Sequence, residues 1–246
     1  MGLLDLAKRA IMSYWYFHVR TLNSIWPSIS LAGKRLTVAR DVYKPLENEQ
    51  SCAEYCRVGD RVLDLGCGSG VGAVFCAPKA KDVVAVDISQ SAVDNTIENC
   101  RLQGLGNVSV LQSDMFSNVS GQFDLILANP PYVAADFESE NAQFATSVRY
   151  LPLLFAGVDR HLARNGRILI QFPMWFQRRI QRLASSNGFK VVEIRRMPAK
   201  SFGLFLLSVV YLQVGFRSAY YLLERQSEAA EAIVAPSIET HADVAA

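Results

Sequence analysis

The stretch "RVLDLGCGSGVG" sets glycines at positions 66, 68, 70 and 72 directly behind an apolar run. Glycine tolerates positive φ and lets a backbone approach a ligand more closely than any Cβ allows, so such a loop can cradle a nucleotide or nucleoside. Gly68, Gly70 and Ala73 also fit G-x-G-x-x-A, the dinucleotide spacing, and Asp87, closing "VVAVD", stands 19 positions after Gly68, where a carboxylate binds a ribose in either case. The loop and this acid say nucleoside without saying which one.

Two further acids discriminate. Asp64 lies inside the strand end just before the glycines, where a pyrophosphate would repel it but the ammonium of an amino acid could be held directly or through water. Asp114, in "VLQSDMF", can accept a hydrogen bond from an adenine amino group, its competing role being to cap the loop that follows. An adenosine joined to an amino acid fits these acids better than one joined to phosphates.

Such groups meet only if strand ends line up beside one another. Strands are expected at "RVLDL", "VVAVDI", "VSVLQS", "FDLILAN", "RILIQF", "KVVEIRR" and "FLLSVVYLQV", with helices such as "SQSAVDNTIENCRLQGL" and "FQRRIQRLASSNG" between most of them. This rhythm predicts an α/β fold with a doubly wound, mostly parallel seven-stranded sheet. Only "RMPAKSFG" separates the last two strands, so they should form an antiparallel C-terminal hairpin. "FGLFLLSVVYLQVGF" (202–216) is uncharged for 15 residues, short of the ~20 apolar residues of a membrane span, and reads as a core strand running on into "RSAYYLLER".

Upstream, apolar residues from Leu3 to Trp26 recur at helical period until Pro27, giving an aromatic amphipathic helix over residues 1–28. It could pack on the main domain, close as a lid over an apolar substrate, or lie on a membrane surface. Residues 29–50 read as an extended arm or hairpin, with "LENEQSCAEYC" as a helix before the glycine loop, and 51–225 are expected to form the main α/β domain. From 226 to 246 the chain is small, acidic and free of aromatic residues, and is expected to be a disordered tail.

Twenty-five Lys and Arg against 23 Asp and Glu leave a charge of +2, so the totals carry no footprint for nucleic acid. Five cysteines, with no CxxC or His-paired spacing, argue against a disulfide framework or a zinc site and for a reduced, cytoplasmic setting. Neither a signal peptide nor a transmembrane segment is expected.

"VLDLGCGSG", "VVAVDIS", "SDMF" and "NPPY", in this order, resemble the class I S-adenosylmethionine (SAM) dependent methyltransferases over about residues 43 to 175. The resemblance implies a Rossmann-like fold, with SAM as methyl donor and S-adenosylhomocysteine as product. By the same resemblance Gly66, Cys67, Gly68 and Gly70 would line the methionine part of SAM, Asp64 would lie near its amino group, and Asp87 would bind both ribose hydroxyls. Ile88 would lie against the adenine face, and Asp114, with Met115 beside it, would take the adenine amino group. "NPPY" resembles the subgroup that methylates planar nitrogens. "VYKPLENEQ" is similar to the "VYxPxED" arm of HemK-type protein-glutamine methyltransferases, with Asn48 where the acid is usual.

The tetrapeptide suits that chemistry. An amide or aryl amine delocalises its lone pair and is a poor nucleophile until two acceptors hold both hydrogens. Asn129, which would also border the cofactor, can supply its side-chain oxygen and Pro130 its carbonyl, while Tyr132 covers the planar group with its ring. Consecutive prolines fix φ and add no N–H to compete.

The HemK-type segment "EPxxALxGGxDG" is missing from "VAADFESENAQFATSVRYLPLLFAG". Three acceptors therefore stay open: a protein glutamine, favoured by the arm; a small metabolite, favoured by the missing segment and the ring-rich helix; and an RNA or DNA base, which would want a basic or stacking surface. A non-catalytic SAM-fold partner protein is a fourth, minor reading. The oligomeric state is not legible.

Overall fold

The computed structural model describes residues 13, 17–130, 150–210 and 217–226. Pro131, Tyr132, most of the aromatic N-terminal segment, the expected tail beyond Gln226 and residues 211–216 lie outside them.

Helix α1 (residues 17–25) leads into the hairpin β1 (Ser28–Leu31) and β2 (Lys34–Thr37). The main sheet and its helices then follow: β3 (Arg61–Leu65), α2 (Val71–Cys76), β4 (Asp82–Asp87), α3 (Gln90–Leu102), β5 (Val108–Gln112), β6 (Phe123–Ala128), α4 (Tyr150–His161), β7 (Leu162–Pro173), α5 (Gln177–Ser185), β8 (Phe189–Arg196), α6 (Phe202–Val210) and β9 (Ser218–Arg225). The seven strands are ordered β5-β4-β3-β6-β7-β9-β8. The first five run parallel, and β9 is antiparallel to both its neighbours.

Strands buried on both faces read as unbroken apolar runs, and their period of two divides the core. Val62, Val83, Ala85 and Leu125 pack with Ala73, Val74 and Ala92 of α2 and α3. Leu63, Leu65, Val86 and Ile126 pack on the other face with Leu154, Phe155 and Ile180 of α4 and α5. The sheet is thus doubly wound, and Asp64, two residues from Val62, falls on the α2–α3 face.

Two expected elements are corrected. The apolar run from Phe202 is helix α6, not a strand, and the last strand begins later, at Ser218. An apolar run without period-two polar breaks suits either element. Here the slot beside β7 and β8 is filled by "SAYYLLER", so the preceding residues satisfy their backbone internally as a helix. β8 and β9 do pair antiparallel, but across a connection holding α6 and not as a tight hairpin. The helix expected at "LENEQSCAEYC" is a 3-10 segment at Glu49–Glu54.

The arm between β2 and β3 is fastened by buried polar groups. Lys44 is 1% exposed, its ammonium donating to the carbonyls of Trp26 and Ser28, and burial lowers it to about 8. The Glu49 carboxylate accepts from Leu46 N, Glu47 N and Tyr43 Oη. Asn48 donates through Nδ2 to the carbonyls of Pro198 (3.3 Å) and Ala199 (2.9 Å), which the acid usual at this position could not do.

Burial first, then the neighbouring Glu47 charge, raises Glu49 from 4.5 to about 7. The folded chain therefore keeps a proton that the unfolded chain releases. The stability this adds is full below 4.5 and is lost as pH climbs towards 7. Asp64, raised by burial from 3.8 to about 7, acts with the same sign. The ligand-free protein should lose melting temperature from pH 4.5 to 7, and Glu49→Gln should make that loss shallower in a pH series of thermal melts.

Candidate active site

Register brings the strand ends together. Leu65 pairs with Val86 on one side and Ala128 on the other, and Asp87 pairs with Gln112. Gly66, Asp87, the "SDMF" turn and Asn129 thus leave one edge of the sheet side by side, across four strands spaced ~4.8 Å, about 14 Å in all. The chain order reverses between β3 and β6, which makes this the crevice where open α/β sheets bind ligands.

The glycine loop is held from beneath and beside. Gly66, Gly68 and Gly70 have φ of 78°, 54° and 78°, a left-handed run that side chains rarely adopt. Gly68 N donates to Asp87 Oδ2 (2.9 Å), and Ser89 N donates to Oδ1 (3.0 Å). Asp87 therefore clamps the loop while retaining lone pairs on both oxygens. Burial raises its carboxyl above the ordinary 3.8.

Asp64 is turned under the first turn of α2, where Oδ2 accepts from Ala73 N (2.9 Å). A Cβ on Gly72 would stand 2.6 Å from that oxygen, so the fourth glycine serves close packing on the acid. Cys67 is buried, its thiol raised by burial and accepting from Thr96 Oγ1 (3.3 Å).

Ile88 is 37% exposed and the Asp114 carboxylate is exposed, both at the β4–β5 end of the crevice. Met115 has φ of 51°, a left-handed conformation fixed by Ser113, whose Oγ donates to Met115 O (2.9 Å) and accepts from Asn118 N (3.0 Å). The turn bearing Asp114 is therefore preset. At the other end Asn129 is half-buried and Pro130 buried.

Three supporting residues were not foreseen. Thr96 Oγ1 also donates to Gly68 O (3.0 Å), and Asn99 Nδ2 donates to Ser69 O (2.8 Å), so α3 braces the loop. Asn99 Oδ1 takes Thr37 N (2.8 Å), tying β2 to the same brace. Their signal was visible as polar residues at 96 and 99 on the face of α3 that also carries Cys100. Tyr150 Oη donates to Leu65 O (2.5 Å), and its ring lies 3.5 Å from where a Gly66 Cβ would be. Burial drives its hydroxyl well above the usual phenol range.

Tyr150 fixes the carbonyl at the hinge of the loop. Tyr150→Phe should weaken SAM binding about tenfold, the size of one lost hydrogen bond to the loop's hinge, as read by titration calorimetry. Tighter binding would show instead that the hydroxyl occupies cofactor space.

The cradle fits a nucleoside joined to an amino acid: a bare glycine backbone, open space above Gly68 and a carboxylate one strand away. This is the fold and crevice of a Rossmann-like methyltransferase. Among solved structures, a ribosomal protein L11 methylase from Lactobacillus delbrueckii subsp. bulgaricus superposes with a TM-score of 0.56 over 76% of this chain and 82% of its own, at 22% identity. The family model described as the methyltransferase small domain matches residues 53–192, and the chain belongs to that family.

A Methanocaldococcus jannaschii protein named provisionally as a protein N5-glutamine methyltransferase is 40% identical over 153 residues, 61% of this chain and 74% of that protein. A release factor glutamine methyltransferase of Cereibacter sphaeroides is 31% identical over 183 residues, 66% of this chain and 65% of the relative. The chain is a SAM-dependent methyltransferase.

Proposed function

We propose that this enzyme methylates the side-chain amide nitrogen of a protein glutamine. The observation that carries the reading is the pairing of Ala128 with Leu65, which starts the Asn129–Pro130 dipeptide beside the glycine loop. The relatives named for glutamine methylation, and the arm at Val42–Glu49 anchored as a built element, favour the amide over the other planar nitrogens.

In this reading Gly66, Cys67, Gly68 and Gly70 hold the methionine part of SAM, with Asp64 near its amino group. Asp87 takes the ribose hydroxyls on its remaining lone pairs, Ile88 lies against the adenine, and Asp114 with Met115 receives its amino group. Bound there, SAM supplies an electrophilic methyl on a sulfonium. Asn129 Oδ1 and Pro130 O accept the two amide hydrogens and turn the nitrogen lone pair toward the cofactor, and Tyr132 covers the amide plane. No side chain is needed as base to begin, because the nitrogen sheds its proton once methylated.

The test is incubation with methyl-labelled SAM and a size-fractionated cell extract. Label should enter the protein fraction; label confined to nucleic acid or small molecules would move the acceptor to a base or a metabolite.

A further inference from the structure

The helix that replaced the expected strand leaves an apolar face uncovered. In α6, Phe202, Phe205, Leu206 and Val209 are 78%, 48%, 48% and 42% exposed, at i, i+3, i+4 and i+7, so they form one stripe. The stripe continues onto a second element. Trp26, 45% exposed, lines one groove with Ser28 and Ile29 on one side and Leu204 and Leu206 of α6 on the other.

Bases flank this face in the sequence, and of them Arg195 is paired with Glu54 and Glu193 and Lys200 with Glu47, which leaves two arginines to meet a ligand. From Arg195 to Arg217 the sequence holds Arg195, Arg196, Lys200 and Arg217 and no acid. Arg196 and Arg217 are exposed, and no ion pair involves either among the described residues. An exposed aromatic and aliphatic stripe with a ring at its edge and two exposed arginines at the ends of its connections matches the interface of an anionic bilayer, where apolar groups enter the acyl boundary and bases meet headgroups. Two copies joined by this face would bring Arg196 and Arg217 of each towards those of the other with no acid from this connection to offset them.

The place in the fold agrees. Ser218 pairs with Pro173 and Ala219 with Arg196, so α6 leaves and rejoins the sheet at the edge where the parallel strands end, the edge that carries the glycine loop and Asn129. Among the described residues no helix is long and apolar enough to cross a membrane.

We infer that α6 and Trp26 form a docking face for an anionic lipid surface. The full chain should co-sediment with phosphatidylcholine vesicles containing phosphatidylglycerol at least about tenfold better than with phosphatidylcholine alone, and raised salt should weaken the binding. Phe202→Glu/Phe205→Glu should lose that binding about tenfold or more while SAM affinity and melting temperature hold. Arg196→Gln/Arg217→Gln, which leaves the apolar stripe intact, should lower it about tenfold and flatten its salt dependence. Failure of the wild type to bind either vesicle, or equal binding by the Phe variant, would overturn the inference. So would self-association in sedimentation velocity that the Phe variant abolishes without any vesicle binding, which would give the face to a second copy.

Discussion

Asn129→Ala should leave SAM affinity unchanged and lower the rate of methyl transfer about 10²- to 10³-fold. The expected size is that of deleting one pre-placed hydrogen-bonding group that acts on the reacting atoms. Asn129 follows Ala128, the last residue of a strand paired on both sides, so the backbone that carries it is fixed by β3 and β7 and not by the side chain removed. The nucleoside contacts are proposed two and three strands away, at Asp87 and Asp114. The variant should therefore show a fall in kcat with little change in the SAM dissociation constant, measured by single-turnover kinetics and calorimetry. A rate within about threefold of wild type would remove the acceptor-clamp role; a parallel loss of SAM binding would make Asn129 a cofactor residue.

Arg167→Met should destabilise the fold by about 3–5 kcal/mol, the cost of leaving a buried charge without its partner. Arg167 Nη2 meets Asp60 Oδ2 at 2.6 Å with side chains only 4% and 10% exposed, and Nη1 donates to Tyr55 O at 2.9 Å. Without the guanidinium, the Asp60 carboxylate keeps, among the described residues, the backbone N–H of Arg57 against its burial. Arg167 pairs with Leu125, so this ion pair anchors the base of the same β6–β7 ladder that presents Asn129 at its other end. Urea denaturation should show the single variant far below wild type and Arg167→Met/Asp60→Asn recovering much of the difference. Equal loss in both would mean that packing, not the stranded carboxylate, sets the cost.

How much could be read from the chain depended on how local the determinant was. Strand ends at Leu65, Asp87 and Ala128 were legible because the apolar runs stop at a glycine, a carboxylate and an asparagine followed by prolines, and those stops fix the crevice by strand pairing alone. The four glycines were legible as a loop but not as two devices: three supply positive φ, while Gly72 makes room for Asp64. Thr96, Asn99 and Tyr150 act across 28, 30 and 85 residues of sequence, and no spacing rule links them to the loop they brace. Helix α6 was misread because nothing in a purely apolar run separates a covered strand from a helix. Its exposed stripe becomes visible only once β9 is seen to fill the sheet position assigned to it.

The central claim is transfer to an amide nitrogen, and the bond that carries the label tests it most directly. Protein methylated with labelled SAM and then hydrolysed in strong acid should release the label as methylamine, because an N-methyl amide splits at the acyl bond. Label released as methanol under mild base would mean an ester, and label retained on a base or an intact metabolite would place the acceptor elsewhere; either result would contradict glutamine methylation.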